Sequence, residues 1–351
     1  RQPNPPVWPE TVHVFSPGEE ARIDATVNAA FRMNGGHAPS DHGQFSSARY
    51  AFLFKPGAYH TDVPVGYYTQ VVGLGRSPRD VVFDSARGVY SEEGDQSDMG
   101  GALSTFWRGA ENFENRAPML WAVSQAAPLR RAVVGGDVNL AQFVAGVGMG
   151  YSSGGYIGNV EVAGAVNSAS QQQFFARNVA MAGGWTQGNW NMVFVGTKGA
   201  QASHCGRSAK EFPAVNVPAT PVIAEKPFIS VDPAGRYHLH TPAVKRDRVG
   251  PDFDPGATVG FERVYVARSS DSAAAINGHL AAGLHVVLSP GIYHLEAPLE
   301  LSHDNQVLLG LGLATLVPTG GSACVRVANV DGVRVAGVLL QAGPGASDAL
   351  L

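Results

Sequence analysis

The densest run of polar side chains in the sequence is Asn167-Ser168-Ala169-Ser170-Gln171-Gln172-Gln173, which leads into Phe174-Phe175-Ala176-Arg177-Asn178. Primary amides donate and accept hydrogen bonds, and aromatic faces stack on sugar rings, so Gln171, Gln172 and Gln173 ahead of two aromatics could grip a hydroxylated ring. The same residues suit a structural ladder, in which amides at one point of successive coils satisfy one another. A second stretch, Gly183-Gly184-Trp185-Thr186-Gln187-Gly188-Asn189-Trp190-Asn191, places Trp185, Trp190 and Asn191 among glycines that offer little cover. Exposed indoles beside amides make a carbohydrate platform, whereas an indole turned inward plugs a core.

Cleaving a glycosidic bond needs a general acid and, for inversion, a water-activating partner about 6.5 to 9.5 Å away. Glu111, Glu114, Glu161, Glu262, Glu296 and Glu300 are scattered, and their spacing selects no pair. Glu161 alternates with Val160 and Val162, as on the outer face of a strand. The sequence contains no Gly-x-Ser-x-Gly elbow, no P-loop and no His-Glu-x-x-His helix. His238-Leu239-His240 lacks a third ligand and His204-Cys205 lacks a second pair, so no metal or cofactor is expected. Cys205 and Cys324 are expected to be two separate buried thiols, with a disulfide between them as the alternative. In Arg130-Arg131 one side chain should face outward and the other pair with an acid such as Asp137.

These residues need a scaffold, and the chain writes one twice. Phe54-Lys55-Pro56-Gly57-Ala58-Tyr59-His60, followed by Pro64 and Gly73-Leu74-Gly75, returns as Leu288-Ser289-Pro290-Gly291-Ile292-Tyr293-His294, followed by Pro298 and Gly310-Leu311-Gly312. Each copy follows a helical run, Ile23 to Met33 and Ser272 to Leu280. A duplicated unit of this kind predicts two similar modules, with function where they meet. The placement of His60 and His294 at equivalent points marks them as architectural. Strand-like segments at Leu129 to Val134, Tyr156 to Val162, Gln173 to Ala180 and Met192 to Gly196 recur at the interval of β-helix coils. Charged residues make up only 15% against 43 Gly and 23 Pro, which also favours short strands over helical bundles.

The reading divides the chain into a first β-helix module over 1–211, a Pro-rich connector over 212–260 and the start of a second module over 261–351. Eight prolines between Phe212 and Gly256 describe an extended strap of limited freedom. Val325 to Val327 and Val333 to Leu340 predict further strands, and the stop at Leu351 without a polar cap suggests a second helix cut short. A net charge of −4 disfavours nucleic acid as a partner, and no apolar run is long enough for a membrane helix. The Arg1 to Pro9 stretch reads as the leader of a mature exported protein, and a monomer is expected.

Taken together, the sequence resembles the tandem β-helix glycoside hydrolases of family 55, the exo-β-1,3-glucanases or laminarinases. The resemblance rests on the duplicated Pro-Gly-x-Tyr units, on Phe106-Trp107-Arg108-Gly109-Ala110-Glu111-Asn112 and on Trp121-Ala122-Val123-Ser124-Gln125-Ala126-Ala127-Pro128. Ser170-Gln171-Gln172-Gln173-Phe174-Phe175-Ala176-Arg177-Asn178 and Trp190-Asn191-Met192-Val193-Phe194-Val195-Gly196 complete it. It implies an all-β fold of tandem right-handed parallel, pectate-lyase-like β-helices lying side by side. It further implies a pocket between them for the end of a β-glucan chain, and glutamines of the first helix that hold sugar and attacking water. The general-acid glutamate would then lie beyond Leu351, leaving the catalytic residue of this fragment unknown. A secreted, inverting exo-glucanase is the leading expectation, and a non-catalytic glycan-binding or cell-surface protein is the alternative.

Overall fold

The computed structural model describes residues 1–36, 42–92, 101–144, 146, 148–206 and 213–351. The chain is all-β apart from two α-helices among the described residues, and it winds into parallel β-helices. The main sheet of the first runs Val12–Phe15, Tyr50–Phe54, Thr69–Gly73, Gly109–Asn115, Leu129–Val134, Tyr156–Val162, Gln173–Met181, Asn191–Val195 and Ala214–Val217, every neighbour parallel. A second wall is built from Met119–Leu120, Val138–Asn139, Val166–Ala169 and Trp185–Gln187. The second helix begins with Val264–Ala267, His285–Leu288, Val307–Pro318 and Arg334–Leu340, again parallel. The four strands expected in the first module and both expected in the second are present, within a residue or two at their ends.

The duplicated motif has a physical purpose. In each copy a buried tyrosine reaches back to two carbonyls, one at the end of the module's first strand and one before the Pro-Gly turn. Tyr59 Oη lies 3.1 Å from Phe15 O and 2.7 Å from Lys55 O. Tyr293 Oη lies 3.1 Å from Ala267 O and 2.9 Å from Ser289 O. The hydroxyl thereby ties the end of the first strand, whose carbonyl also accepts from Lys55 N or Ser289 N, to the residue that opens the turn. The helices Glu20–Asn34 and Ala273–Ala281 occupy the same place in each copy, the second N-capped by Ser272 Oγ accepting from Ala275 N. His60 and His294 both face outward, His60 against Asp84.

Strand alternation decides how the modules dock. In the strand Tyr50–Phe54, Phe52 and Phe54 enter the core of the first helix, while Ala51 and Leu53 enter a different core. In His285–Leu288, Val286 and Leu288 enter the core of the second helix and Val287 joins Ala51 and Leu53. Period-two geometry thus sends alternate residues to a private core and a shared one. The shared core is completed by Val72, Leu74, Val307, Leu309 and Leu311, and by Ile229, Val231, Tyr237 and Leu239 of the connector. Polar contacts cross beside it: Arg49 donates to Thr315 Oγ1 at 3.0 and 3.2 Å, and Gly312 N donates to Gln70 Oε1 at 2.8 Å.

The connector, read from sequence as an extended strap, is folded more fully than that. Thr220–Ile223 pairs antiparallel with Lys245–Arg248, and Phe228–Val231, Tyr237–Thr241 and Ala257–Gly260 form a three-stranded antiparallel sheet. Its prolines fall outside these strands except Pro221, which sits in a two-stranded pair where a missing N–H is tolerated. The connector is fastened to a column of left-handed residues in the first helix, Arg131, Asn159 and Asn178, at φ 45°, 58° and 53°, with Asn112 at 62° bonded to Arg131 at its end. Asn159 exchanges two bonds with the Asp252 backbone at 2.9 and 2.6 Å, Asn178 Oδ1 accepts from Thr220 Oγ1 at 2.8 Å, and Arg131 Nη2 donates to Phe253 O at 2.8 Å. Arg131 therefore does not pair with Asp137, whose Oδ1 instead accepts from Ala165 N. The bend at Arg131 turns it under the connector, which strict alternation could not anticipate.

Both cysteines are free; Cys324 is buried as expected, but Cys205 is exposed. No helix among the described residues is long and apolar enough to cross a membrane.

If the shared core holds the modules together, Leu53→Ala should cost about 2–5 kcal/mol in urea unfolding although the private core of the first helix is untouched. A loss below about 0.5 kcal/mol would show that the modules dock by other means.

Candidate functional site

Where the two helices and the connector meet, they leave a cavity of about 450 Å³. Gly109, Ala110 and Glu111 of one strand, Arg130 of the next and Arg177 of a third form its first-helix wall, Ala224 to Pro227 its connector wall, and Leu313 with Arg334 to Leu339 its second-helix wall. Register puts Glu111, Arg130, Gly158 and Arg177 in one line across four adjacent strands. Gly158 is required there: a Cβ would meet the Tyr156 hydroxyl at 2.1 Å. Its absence lets the Tyr156 ring lie over the sheet, 4.4 Å beneath the Arg130 guanidinium and 5.8 Å from that of Arg177, with the hydroxyl accepting from Arg130 at 3.2 Å.

Four cationic side chains, Arg130, Arg177, Lys226 and Arg334, line the cavity against two carboxylates, Glu111 and Glu225, while the guanidinium of Arg108 turns into the first helix. Glu111 accepts from Lys226 Nζ at 2.5 Å and from Gln70 Nε2 at 3.3 Å. Glu225 meets Arg177 at 3.4 Å. Burial pushes the Glu225 carboxyl above its ordinary 4.5, because so long a contact with Arg177, even helped by Arg130 and Arg131, does not offset the lost hydration. Arg108 is buried without a carboxylate partner among the described residues, donating to Val65 O and Ser91 Oγ, and burial lowers it to about 10. Arg108 Nη2, Arg177 Nε and Arg334 Nε are buried donors with no protein partner. These nitrogens are closed off from the cavity, and the groups it offers to the oxygens of a hydroxylated ligand are the half-buried guanidinium groups of Arg130 and Arg177.

The residues singled out from sequence separate by environment. Gln171 is buried, donating to Val123 O and Leu140 O at 2.8 Å and accepting from Gly154 N at 2.7 Å, so its amide is fully used in holding three coils. Gln172 is half-buried, its backbone carbonyl accepting from Trp190 N and Asn191 N. Gln173 is exposed, its amide 3.0 Å from Ser153 O, and pairs in register with exposed Asn191. Trp190 is 57% exposed. Trp185 plugs the coil interior between Phe174 and Phe194, at centroid distances of 5.6 and 5.1 Å. A side-chain ladder does exist, but it runs through Asn139, Asn167 and Thr186 on the second wall.

Of the six scattered glutamates only Glu111 lines this cavity. Glu161 and Glu114 pair with Arg79, Glu300 with Arg326 and Glu262 with Arg1, while Glu296 accepts from Ala274 N. Among the described residues no His, Cys, Asp and Glu group could hold a metal; His238 pairs with Asp232 and His240 with Ser230 and Thr258. Sequence reasoning missed Tyr156, Glu225 and Lys226. Nothing in the connector's composition singled out the last two, whereas Arg177 already stood inside the Ser-Gln-Gln-Gln aromatic string.

Twin parallel β-helices with a cavity at their junction define a class, and the comparisons agree with it. Residues 264–351 match the model of the LAM55 pectate lyase-like domain. The chain is 39% identical over 352 residues to an exo-beta-1,3-glucanase of Streptomyces sp. (strain SirexAA-E / ActE), covering 97% of this chain and 54% of that protein. The solved structure of sacteLam55A from Streptomyces sp. SirexAA-E superposes with a TM-score of 0.85 at 35% identity, over 97% of this chain and 60% of that one. A variant of that protein in complex with glucose gives a TM-score of 0.81 at 34% identity, over 95% and 60%. The chain is a tandem β-helix protein similar in sequence and fold to that glucanase and to sacteLam55A, and it spans about half the length of the curated relative it matches.

A carboxyl whose folded pKa lies above its unfolded one binds more protons when folded, so its contribution to stability is full below pH 4.5 and is lost as the pH rises through the raised value. Glu225→Gln should flatten that loss when urea unfolding is compared between pH 4 and 7. An unchanged slope would mean that Glu225 is not held in a desolvating site.

Proposed function

We propose that a protein carrying this chain hydrolyses β-1,3-glucan outside the cell, releasing glucose from the chain end in a single displacement that inverts the anomeric centre, and acts as a monomer. The observation that carries this reading is the 39% identity over 97% of the chain to an exo-beta-1,3-glucanase, on a fold that superposes with a glucanase relative. The junction adds support. Its half-buried Arg130 and Arg177 guanidinium groups can donate to sugar hydroxyls, and the neighbouring edge of the first helix presents Gln173, Trp190 and Asn191 outward. Gln171 and Trp185 act behind them, fixing the coils that place those groups.

Glu111 is held by Lys226 and is not free to protonate a leaving oxygen, and Glu225, though burial raises its carboxyl, is shared with the Arg177 guanidinium on the cavity wall. In this reading the general acid comes from the part of the glucanase length that the chain does not match, and the first helix supplies sugar contacts and the polar surroundings of the attacking water. The ion pair that occupies Glu111 also favours a second reading, a β-helix that binds glycan without cleaving it.

The protein at its natural length should release glucose from laminarin, the α-anomer first by NMR, and not from pustulan, cellulose or polygalacturonate. Initial release of the β-anomer would overturn inversion, and binding of laminarin with no release from any of the four would favour the second reading.

A further inference from the structure

Register extends the first helix's binding edge well beyond the amides. Counting outward from the paired strands, Arg49, Tyr68, Trp107, Ala126, Gly154, Gln173 and Asn191 fall in one row where successive coils enter the main sheet. Ala126 also lines the cavity at the helix junction, so row and cavity share a border. At ~4.8 Å between neighbouring strands, the five steps from Tyr68 to Asn191 span about 24 Å, longer than a disaccharide.

At the end of the row far from Gln173 stands an aromatic stack that rises from buried Tyr68 to the surface. Phe45 is 83% exposed and meets Trp107 edge-on at 6.3 Å. Trp107, itself half-exposed, stacks on Tyr68 at 5.5 Å and 19°. Tyr68 is fixed from behind, its hydroxyl donating to Gln44 O at 2.7 Å and its ring covered by the Arg49 guanidinium at 4.1 Å. Tyr68 and Trp107 hold φ of 50° and 51°, a left-handed backbone that bulky side chains rarely adopt. Keeping two large aromatics in that conformation on adjacent coils, one of them open to solvent, is strain of the kind found at ligand-binding positions.

The row also states what it would bind. Its one charged residue, Arg49, is 5% exposed and occupied by Tyr68 and Thr315, so the accessible groups are aromatic faces at one end and amides at the other. That surface suits a neutral polyhydroxylated chain and offers nothing to a polyanion.

We infer that Phe45 and Trp107 form a distal subsite for a neutral glucan chain, which lies along the edge of the first helix and continues to Gln173 and Asn191. The inference rests on the glucan reading of the junction. Its function is to retain polymer, not to cleave it, so it should distinguish long substrates from short ones.

The test uses the protein at its natural length and two variants, Phe45→Ala and Trp107→Ala; the first removes an almost fully exposed ring and leaves folding untouched. Affinity electrophoresis in laminarin gels should show about tenfold weaker retardation for each variant, and kcat/KM on laminarin should fall similarly while laminaribiose turnover stays within twofold. Wild-type retardation and turnover of laminarin by both variants would overturn the subsite and leave the hydrolase reading intact. Parallel loss on laminaribiose would overturn it too, by placing the rings at the reacting end. Retardation lost in the variants of a protein that cleaves neither substrate would support the subsite while the hydrolase reading fails.

Discussion

The molecule depends on strands that are buried on both faces. In an isolated β-helix the outer face of each strand meets water and can be polar. Here Ala51 and Leu53, Val72, Val287, Val307 and Leu309 are apolar on the face turned away from their own helix, and they meet in a shared core. Burying that face removes several aliphatic side chains from water at once, each worth about 1.5–3 kcal/mol when fully buried. The relative placement of the two helices, and so the shape of the groove between them, follows from this contact.

The connector belongs to the same constraint. Ile229, Val231, Tyr237 and Leu239 complete the shared core from the side, and the left-handed asparagines 112, 159 and 178 form a column whose amides meet backbone or connector groups. Asparagine is among the few residues that accept this conformation readily, and its amide replaces the ladder bonds lost at the bend. The connector is thereby pinned where it can bring Glu225 and Lys226 into the cavity wall. A loosely attached strap could not hold a desolvated carboxylate against Arg177.

Much of this was legible in the sequence because repetition is a strong signal. Tyr59 and Tyr293 make the same two contacts 234 residues apart, so the duplicated Pro-Gly-x-Tyr motif announced two modules directly. Strand positions were legible for the same reason, since coil spacing repeats. The site was less so. Adjacent glutamines have one composition but three environments, because the bend at Gln172 breaks the alternation that would put Gln171 and Gln173 on one face, turning Gln171 inward and Gln173 outward. The two tryptophans likewise divide into a core plug, Trp185, and an exposed ring, Trp190. Glu225 and Lys226 were invisible because they reach the cavity through long-range docking of the connector, which local pattern does not encode.

The most direct test of the account is the position of bound ligand. Crystals of the protein at its natural length soaked with laminaritetraose should show sugar density in the groove between the helices, with ring oxygens or hydroxyls within hydrogen-bonding distance of Arg130 or Arg177. Density confined to another surface, with the groove filled by protein, would contradict the claim that docking of the two β-helices builds the glucan site.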